Sequence, residues 1–317
     1  MKVSVVMTTY NGEKYVIEQL DSLKNQVRQI DELFILDDGS KDETVNMVSK
    51  YIRDNQLGDK WKLIINPVNL GYANNFKKGI GMCSGDYIFF SDQDDIWNTD
   101  KISSVIKIMD LDDKIKVLCS DYEPYYFTDD APVISKAVTD RMKGDYSVEK
   151  VNFDTHNIYI RSEGCCMAIK KSFWEEIKNY WCNGWAHDEF IWEMALCADG
   201  LYEFHSPTLK RRLHSNNVSK KKERDLKKRI DFQKNLVLHY KRVYKFSKEK
   251  NLSKDKLKVI EKTIKCNGLR ADMMEKRRIL NIIPLTFCYS KNYYSIKSIP
   301  VELFMSLKRS NYEKETT

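Results

Sequence analysis

Residues 87 to 97 read YIFFSDQDDIW. The first four residues are apolar, which is typical of a buried strand, and three carboxylates follow directly: Asp92, Asp94 and Asp95. Ionised carboxylates this close together repel one another, and a turn seldom needs three of them. A bound divalent cation would relieve the repulsion most simply. The stretch therefore predicts a strand whose carboxyl end opens onto a ligand site.

Apolar runs and amphipathic segments alternate on both sides of this stretch. The pattern predicts strands at residues 3–7, 33–36, 63–65 and 87–90, and helices at residues 15–23, 44–52, 73–82 and 101–109. Strict alternation predicts an α/β, Rossmann-like fold with a mixed, mostly parallel central sheet flanked by helices. In such sheets, ligands bind beyond the carboxyl ends of the strands.

Polar residues follow each of the four strands, and we expect them to face one crevice. The four tips are Thr8 to Gly12, Asp37 to Ser40, Asn66 to Gly71 and Ser91 to Asp95. Three of the tips also have structural explanations. Ser40 and Glu43 fit a capping box, so the aspartates of the second tip could serve only its turn. Asn69 and Gly71 suit a plain loop, and an isolated Tyr10 ring is more often packed than stacked on a ligand.

The number of acids indicates the kind of ligand. A cation held by one or two carboxylates usually completes its shell with water and phosphate oxygens. A metal-bound diphosphate is therefore the expected ligand, and the ring of Tyr10 offers a flat surface for a base. A nucleotide sugar meets both demands, because the metal would make its nucleoside diphosphate a good leaving group.

Length and composition limit the class of protein. The chain has 317 residues and is 42% hydrophobic, which suffices for one large domain with an appendage, or for two domains. Its eight cysteines are scattered and lack Cys-x-x-Cys spacing, so we interpret them as reduced core residues. No apolar run reaches the roughly 18 residues of a membrane span, and the N-terminal apolar run is too short for a signal peptide. We therefore expect a cytoplasmic protein.

Charge is distributed unevenly along the chain. Residues 216–317 contain 27 Lys and Arg against 11 Asp and Glu, a net charge of +16, whereas residues 1–215 contain 26 against 35, a net charge of −9. Apolar residues in the basic part recur at helical spacing. We therefore predict an α/β domain at residues 1–219 and a basic, mainly helical extension at residues 220–317.

The ordered motifs resemble those of a known enzyme family. They are Val3 to Asn11, Asp37 to Thr44, Asn69 to Gly71 and Ser91 to Asp95. Together they are similar to family 2 glycosyltransferases of the GT-A fold, and SDQDDIW with the later pair His187-Asp188 looks most like bacterial rhamnosyltransferase-type enzymes of surface polysaccharide synthesis. The resemblance implies an inverting, metal-dependent transfer of rhamnose or another hexose from a nucleoside diphosphate to a hydroxyl of a glycan or lipid-linked acceptor.

The resemblance also implies a binding site for the nucleotide sugar at the first three tips. Thr8 and Tyr10 would line the base pocket, with the Tyr10 ring stacked on the pyrimidine. Asp38 would accept a hydrogen bond from the base imide. Asn69 and Gly71 match the third motif and are expected to contribute to the same site.

Two further parts of the chain would hold the diphosphate. Asp92 and Asp94 are the two acids of the family's Asp-x-Asp motif. Asp94 would bind Mg or Mn, and Asp92 would contact the ribose or the donor sugar near that metal. Gln93 between them receives no role. Arg212 and His214 lie in a segment that resembles the one that closes over the donor diphosphate in this family. The alternative is that this segment is only a basic loop. His214 is also a candidate for an additional metal ligand.

The catalytic base is expected across the sugar from the metal, and Asp188 occupies its position in this family. Asp188 begins a predicted helix that runs to about residue 197, and a helix N-terminus lowers the pKa of a carboxylate. A plain helix cap is the alternative, and Glu189 is the neighbouring candidate for the base. Trp185 is the expected acceptor contact, because aromatic faces stack on sugar rings. His187 is expected to contact the acceptor or orient Asp188, unless it only packs.

Two roles fit the basic extension. Its Lys and Arg residues beside aromatic and aliphatic residues suit the anionic inner face of a membrane, which a lipid-linked acceptor would make useful. A solvated helical bundle or a dimer contact explains the same pattern. Nucleic acid is not an expected partner, because the acidic part would repel a phosphate backbone.

Two other functional classes fit part of the pattern. A nucleotidyltransferase uses a similar sheet and metal-binding acids but needs no base on the acceptor side, such as Asp188. A catalytically inactive sugar-binding or scaffold protein would be marked by the loss of a key acid, and Asp38, Asp92, Asp94 and Asp188 are all present. The sequence does not select the donor: the resemblance favours dTDP-rhamnose, whereas a UDP-linked hexose would use the same four tips.

Overall fold

The computed structural model describes residues 1–215, 217 and 225–312. The boundary predicted between residues 219 and 220 therefore lies outside the described residues. The strands are β1 Val3–Thr9, β2 Glu32–Asp37, β3 Trp61–Ile65, β4 Tyr87–Ser91, β5 Ile96–Trp97, β6 Val117–Tyr126, β7 Val148–Lys150, β8 Met167–Lys170 and β9 Leu201–Leu213. The helices are α1 Val16–Lys24, α2 Thr44–Asp54, α3 Tyr72–Met82, α4 Lys101–Leu111, α5 Lys136–Thr139, α6 Lys171–Ile177, α7 His187–Cys197, α8 Leu226–Glu249, α9 Lys254–Glu275, α10 Ile282–Phe287 and α11 Ser298–Tyr312.

These strands form one mixed sheet in the order β3-β2-β1-β4-β8-β6-β9-β5, and β7 pairs with β9. β1 lies between β2 and β4, and the pairs among β1, β2, β3 and β4 are parallel. The four strands and four helices predicted at the start of the chain are confirmed as β1 to β4 and α1 to α4. Because these strands are parallel, their carboxyl ends lie at the same edge of the sheet.

Burial follows from the sequence of each element. All five residues of β4 and six of the seven in β1 are buried, as expected for central strands that are covered on both faces. α1 buries Val16, Leu20 and Leu23, which recur at helical spacing. These side chains share one core with Ile35 of β2 and Phe89 of β4.

The second half of the sheet is mainly antiparallel. β8 runs antiparallel to β4 and β6, β5 and β7 run antiparallel to β9, and β6 and β9 are parallel. β9 is 13 residues long and includes His205 and Pro207, so it lacks a regular alternation. Its pairing with β5 sets Lys210 opposite Ile96. The end of β9 therefore lies beside the acids that follow β4.

The chain divides into two compact units, of which one comprises Met1–Val151 with Ile160–Lys220 and the other Asn152–Tyr159 with Lys221–Thr317. The second unit is helical, as the basic periodicity predicted. Its long helices α8 and α9 pack along each other. A small core in this unit consists of Cys266, Met273, Leu285, Tyr293 and Ile299. Among the described residues, no helix has both the length and the hydropathy needed to cross a membrane.

A buried ion-pair network joins α8, α9 and α11 of the helical unit. Glu302 has no exposed surface and accepts hydrogen bonds from Arg229 (Nε to Oε1, 3.1 Å) and Arg270 (Nη2 to Oε1, 2.6 Å). The Arg270 guanidinium also lies 4.2 Å from the centre of the Tyr293 ring. Removal of one partner would leave buried charges uncompensated, which costs more than the pair itself contributes.

Glu302→Gln should lower the free energy of unfolding of the helical unit by about 3 kcal/mol, because it leaves two arginines without their counter-charge. Urea denaturation followed by circular dichroism measures the effect. Glu249→Gln is the matched control, since Glu249 is an exposed residue 3.9 Å from Lys245, and it should change stability by less than about 0.5 kcal/mol. Equal unfolding midpoints for the two variants would contradict the role given to Glu302.

Candidate active site

The carboxyl ends of β1, β2 and β4 are in register at one edge of the sheet. Thr9 of β1 lies beside Asp37 of β2, and Met7 lies beside Ser91 of β4. Thr8 is half-buried at the same edge. The polar tips that follow these strands therefore start from neighbouring positions.

The first aspartate after β2 shapes the turn that follows it. Asp37 is fully buried, and its Oδ1 accepts hydrogen bonds from the backbone N–H groups of Gly39 (3.0 Å) and Ser40 (2.8 Å). The Ser40 hydroxyl donates to Asp37 Oδ2 at 2.5 Å. α2 begins at Thr44 without a side-chain cap, so the capping box considered for Ser40 and Glu43 does not form.

Asp38 joins the tips of β2 and β3. Asp38 is buried, with 4% of the residue exposed. Oδ1 accepts hydrogen bonds from the Asn66 side-chain amide (2.9 Å) and the Leu70 N–H (2.8 Å), and Oδ2 accepts one from the Gly71 N–H (2.9 Å). A carboxylate has about four acceptor positions, so Oδ2 keeps one for a further donor. Asp38 can thus shape the loop and still receive the imide N–H of a base.

Asn69 and Gly71 form the loop around Asp38. Asn69 Nδ2 donates to the backbone carbonyl of Asp38 (2.9 Å), and its Oδ1 accepts a hydrogen bond from the Gly71 N–H (3.0 Å). Gly71 has a φ of 75°, a conformation that residues with a side chain rarely adopt. The contacts of both residues therefore support Asp38.

Tyr10 is the exposed residue of the first tip, and its backbone is fixed by Gln93. Tyr10 is 49% exposed. The Tyr10 N–H donates to Gln93 Oε1 (2.8 Å), and Gln93 Nε2 donates to the Tyr10 carbonyl (3.1 Å). A Cβ at Gly12 would lie 2.2 Å from Gln93 Oε1, so this glycine leaves room for the amide. The family resemblance implied no role for Gln93, because the middle residue of the motif varies widely in the family.

The acids after β4 are crowded, as the sequence predicted. Asp95 is 2% exposed, and its Oδ1 accepts a hydrogen bond from the Arg212 N–H at 3.1 Å. Burial and the charge of Asp94 raise the pKa of Asp95 to about 7. Burial, together with the charges of Asp95 and Asp94, raises the pKa of Asp92 well above its usual value. Added positive charge at this tip would therefore stabilise the ionised acids.

His214 lies directly beside Asp94. The distance from His214 Nε2 to Asp94 Oδ2 is 2.8 Å, and Asn217 Nδ2 donates to the same oxygen at 3.4 Å. The Tyr15 ring stacks on the imidazole with a centroid distance of 4.8 Å and an interplanar angle of 18°. The structure thus brings together Asp94 and His214, two side chains that the sequence analysis selected from distant segments.

The side chains at this tip fit a hard divalent cation. Asp92, Asp95 and Cys165 each offer a ligand atom, and these atoms lie within 4.8 Å of one another. A hydrogen bond with Cys166 and burial hold the pKa of the Cys165 thiol well above its usual value, so the sulfur stays protonated. The available donors are then carboxylate oxygens and an imidazole, which suit Mg or Mn better than a soft metal.

Arg212 supports the acids from behind and does not face the crevice. It is 1% exposed, its Nε donates to the backbone carbonyl of Asp94 at 2.8 Å, and its guanidinium pairs with Glu18. Three aromatic rings surround the guanidinium carbon at 4.6 to 5.4 Å: Tyr15, Tyr125 and Phe127. The prediction that Arg212 contacts the diphosphate is therefore corrected, because the residue is buried and already paired.

Arg211 is the cation that faces the acids, and sequence reasoning missed it. Its Nη1 lies 2.8 Å from Glu163 Oε1. Its positive charge counteracts part of the rise in pKa at Asp92, Asp95 and Asp188. Arg211 therefore favours the ionised form of the acids that follow β4 and also of Asp188.

Asp188 lies in the first turn of α7 and is half-buried. Burial raises its pKa, although the Glu189 N–H, 2.9 Å from Oδ1, and the charge of Arg211 act in the opposite direction. The expectation that the helix N-terminus lowers this pKa is wrong, because desolvation outweighs the backbone hydrogen bonds. The carboxylate is consequently a stronger base than an exposed aspartate.

Gly164 brings Asp188 close to the acidic tip. A Cβ at Gly164 would lie 2.5 Å from His187 Nε2 and 3.5 Å from Asp188 Cβ, so only glycine allows this packing. The next residue, Cys165, adjoins Asp92. Burial and the charges of Asp95 and Asp94 raise the pKa of Asp92, and the charge of Asp188 raises it further. The tip after β4 and the first turn of α7 thus face the same recess.

Trp185 and His187 belong to the core. Trp185 has no exposed surface, and its ring meets Phe190 edge-on at 5.0 Å. His187 is 4% exposed and stacks on Phe76 at 3.8 Å, and burial lowers its pKa to about 3. The prediction that these two rings contact an acceptor is therefore corrected, because neither presents a face to solvent.

Known proteins resemble the chain in sequence and in fold. The profile described as "Glycosyl transferase family 2" matches residues 4–177. The dTDP-rhamnosyl transferase RfbG of Shigella flexneri is 32% identical over 225 residues, which cover 67% of this chain and 72% of RfbG. An uncharacterized glycosyltransferase of Haemophilus influenzae is 23% identical over 329 residues, covering 97% of this chain and 87% of the relative.

The fold is similar to that of a solved glycosyltransferase. The crystal structure of S. aureus TarS 1-349 in complex with UDP-GlcNAc matches with a TM-score of 0.64 and 18% identity, covering 94% of this chain and 84% of the TarS 1-349 chain. The predicted GT-A fold is therefore confirmed.

Glu189→Gln should make stability less dependent on pH. Burial and the charge of Asp188 raise the pKa of Glu189 from 4.5 to about 7, so the folded chain keeps a proton that the unfolded chain releases. This stabilisation is complete below about pH 4.5 and is lost as the pH rises through about 7. The thermal midpoint of the variant should therefore rise relative to that of the wild type across this range. A constant difference between the two midpoints would contradict the assignment.

Proposed function

Because the chain belongs to glycosyl transferase family 2, we propose that it moves a sugar, with inversion, from a nucleoside diphosphate to an acceptor hydroxyl. The observation that carries this proposal is the closeness of two acidic groups: Asp94 contacts His214 at the tip of β4, and the charge of Asp188 in α7 acts on Asp92 of the same tip. Inverting transfer needs one group that holds the leaving diphosphate and another that accepts the proton of the acceptor.

The nucleoside would bind at the tips of β1 and β2. The half-exposed Tyr10 ring offers a stacking surface. Because Gln93 already fixes the Tyr10 backbone, stacking would cost little additional conformational entropy. The remaining acceptor position of Asp38 Oδ2 suits the imide N–H of a pyrimidine. Thr8 lies at the same strand end and is half-buried.

The diphosphate would bind at the tip of β4. A Mg or Mn ion held by Asp94, Asp92 and His214 would screen the charge that develops on the leaving nucleoside diphosphate. Tyr15 stacks on His214 and keeps its imidazole against Asp94, while Arg212 fixes the Asp94 carbonyl. These contacts orient both side chains before any ligand binds.

Asp188 is the proposed base. As the acceptor oxygen bonds to the anomeric carbon, the bond from that carbon to the diphosphate oxygen breaks, and the acceptor proton passes to the Asp188 carboxylate. Attack from the side opposite the leaving group inverts the configuration. Burial makes Asp188 a stronger base, and the charge of Arg211 favours its ionised form.

Tyr72 replaces Trp185 and His187 as the proposed acceptor contact. It is 55% exposed. Much of the residue is exposed, but its hydroxyl is locally buried: this burial and the charges of Asp188 and Glu189 raise the pKa of the hydroxyl to about 12, so the hydroxyl lies close to the proposed base. An exposed aromatic ring at that position suits stacking on a sugar.

The relatives support two donors. RfbG is named as a dTDP-rhamnosyl transferase, and TarS is solved with UDP-GlcNAc. We propose dTDP-rhamnose first, because RfbG shares 32% identity with this chain and TarS shares 18%. The acceptor would be a glycan or lipid-linked saccharide of a bacterial surface polysaccharide. Cys83, Cys119 and Cys266 are buried free thiols, which fits work in the reducing cytoplasm.

Asp188→Asn should reduce sugar transfer by about 10²- to 10⁴-fold and leave nucleotide binding unchanged, because it removes the base alone. Asp94→Asn should instead weaken metal-dependent nucleotide binding. Release of the nucleoside diphosphate from a panel of dTDP and UDP sugars measures turnover, and calorimetry measures binding. Asp113→Asn, at an exposed position, is the control and should match the wild type. Full turnover in Asp188→Asn would contradict the base assignment, whereas no turnover of any nucleotide sugar by the wild type would favour a nucleotidyltransferase or a binding protein.

Tyr10→Ala should weaken nucleoside diphosphate binding by about tenfold or more, since stacking of a base on an aromatic ring contributes about 1 to 3 kcal/mol. Tyr10→Phe keeps the ring and should bind within about twofold of the wild type. Calorimetric titration with UDP and dTDP gives both constants. Equal loss in the two variants would show that the hydroxyl, and not the ring face, carries the contact.

A further inference from the structure

Helices α10 and α11 of the helical unit expose apolar side chains. Leu280, just before α10, is 78% exposed, and Phe287 at the end of α10 is 81% exposed. On α11, Phe304 is 63% exposed. α10 and α11 contact each other, and we call their exposed apolar residues, with Leu280, the apolar outer face: Leu280, Ile283, Phe287, Val301, Phe304 and Leu307. Exposed apolar residues grouped in this way usually mark an interaction site.

The apolar outer face is separate from the core of its own unit. Leu285 and Ile299, which lie on the same two helices, are buried in that core. On α11 the buried residues Ile299, Glu302 and Ser306 recur at helical spacing. The exposed apolar residues of α11 therefore lie on the opposite side, where packing within the unit does not require them.

The charge around the apolar outer face has one sign. Between residues 276 and 312 the sequence contains a single acid, Glu302, and this residue is fully buried in its pairs with Arg229 and Arg270. Six cations of the same stretch are exposed: Lys276, Arg277, Arg278, Lys291, Lys297 and Lys308. The described surface of this stretch thus combines apolar side chains with positive charge.

A basic pocket adjoins the apolar outer face. It has a volume of about 400 Å³ and is lined in part by Lys258, Lys262 and Lys291, together with Phe287. One acid, Asp255, also lines it and lies 3.4 Å from Lys258. Three ammonium groups against one carboxylate leave a net positive charge, which suits a phosphate group.

We propose that the apolar outer face and the basic pocket dock the helical unit on an anionic lipid surface. The apolar side chains would enter the boundary between headgroups and acyl chains, and the lysines of the pocket would bind lipid phosphates. A protein partner fits less well, because lysine is depleted at the centre of protein interfaces. This docking goes beyond the proposed sugar transfer and does not depend on it.

Vesicle binding by the full chain tests the docking without any nucleotide sugar. Mixed phosphatidylcholine and phosphatidylglycerol vesicles should sediment the protein, pure phosphatidylcholine vesicles should do so far less, and added salt should weaken the binding. The double variant Phe287→Ser, Phe304→Ser should bind at least about tenfold more weakly. Lys258→Gln and Lys262→Gln should each weaken binding about fivefold, as expected for a lysine at an anionic surface.

Phe232→Ser is the matched control, because Phe232 is 51% exposed on α8 and lies outside the apolar outer face. It should bind vesicles within about twofold of the wild type. Circular dichroism should show that all variants are folded, and turnover of a soluble nucleotide sugar should be the same in all of them. Loss of turnover with normal vesicle binding would count against the sugar transfer and leave the docking intact.

The exposed thiol of Cys288 provides a second readout, because this residue lines the basic pocket. An environment-sensitive fluorophore on Cys288 should shift to the blue with anionic vesicles, and the double variant should lose that shift. The docking is overturned if the wild type does not bind anionic vesicles, or if the double variant binds as the control does. It is also overturned if the apolar outer face mediates self-association that the double variant abolishes in the absence of lipid.

Discussion

The site depends on keeping several carboxylates ionised in one half-buried recess. Burial raises the pKa values of Asp92, Asp95 and Asp188, and the charge of Asp94 raises those of Asp92 and Asp95 further. β9 supplies the opposing charge, because its pairing with β5 brings its last residues beside the tip of β4. Successive residues of a strand point to opposite faces. Arg211 therefore faces the acids, whereas Arg212 lies behind them in its aromatic surroundings. A cation bound at the tip would complete the same electrostatic balance.

Several polar residues at the strand tips act on the protein itself. Asn69 and Gly71 hold the loop around Asp38, and Gln93 joins the tip of β1 to that of β4. These contacts leave the Tyr10 ring exposed at the edge of the sheet. A ligand would therefore meet a surface whose loops are already ordered, which reduces the entropy lost on binding.

Local patterns allowed the first half of the fold to be predicted, because β1 to β4 and α1 to α4 each carry their own periodicity. β9 was not predicted, since His205 and Pro207 interrupt its alternation and its partners are distant in sequence. Asp94 and His214 were identified through motifs, and the structure brings them together. The role of Trp185 could not be predicted, because the sequence around an aromatic residue is the same whether its ring packs in the core or binds a ligand. The pKa of Asp188 depends on burial, which only the tertiary structure sets.

The central claim is that Asp94 and His214 hold a divalent ion on the diphosphate of the donor. Diffraction at the manganese absorption edge, from crystals grown with Mn and UDP or dTDP, tests it most directly. The account predicts one anomalous peak that contacts both Asp94 and His214 as well as the diphosphate. A peak bound only at other residues, or a diphosphate held in the recess by side chains alone in excess Mn, would contradict it.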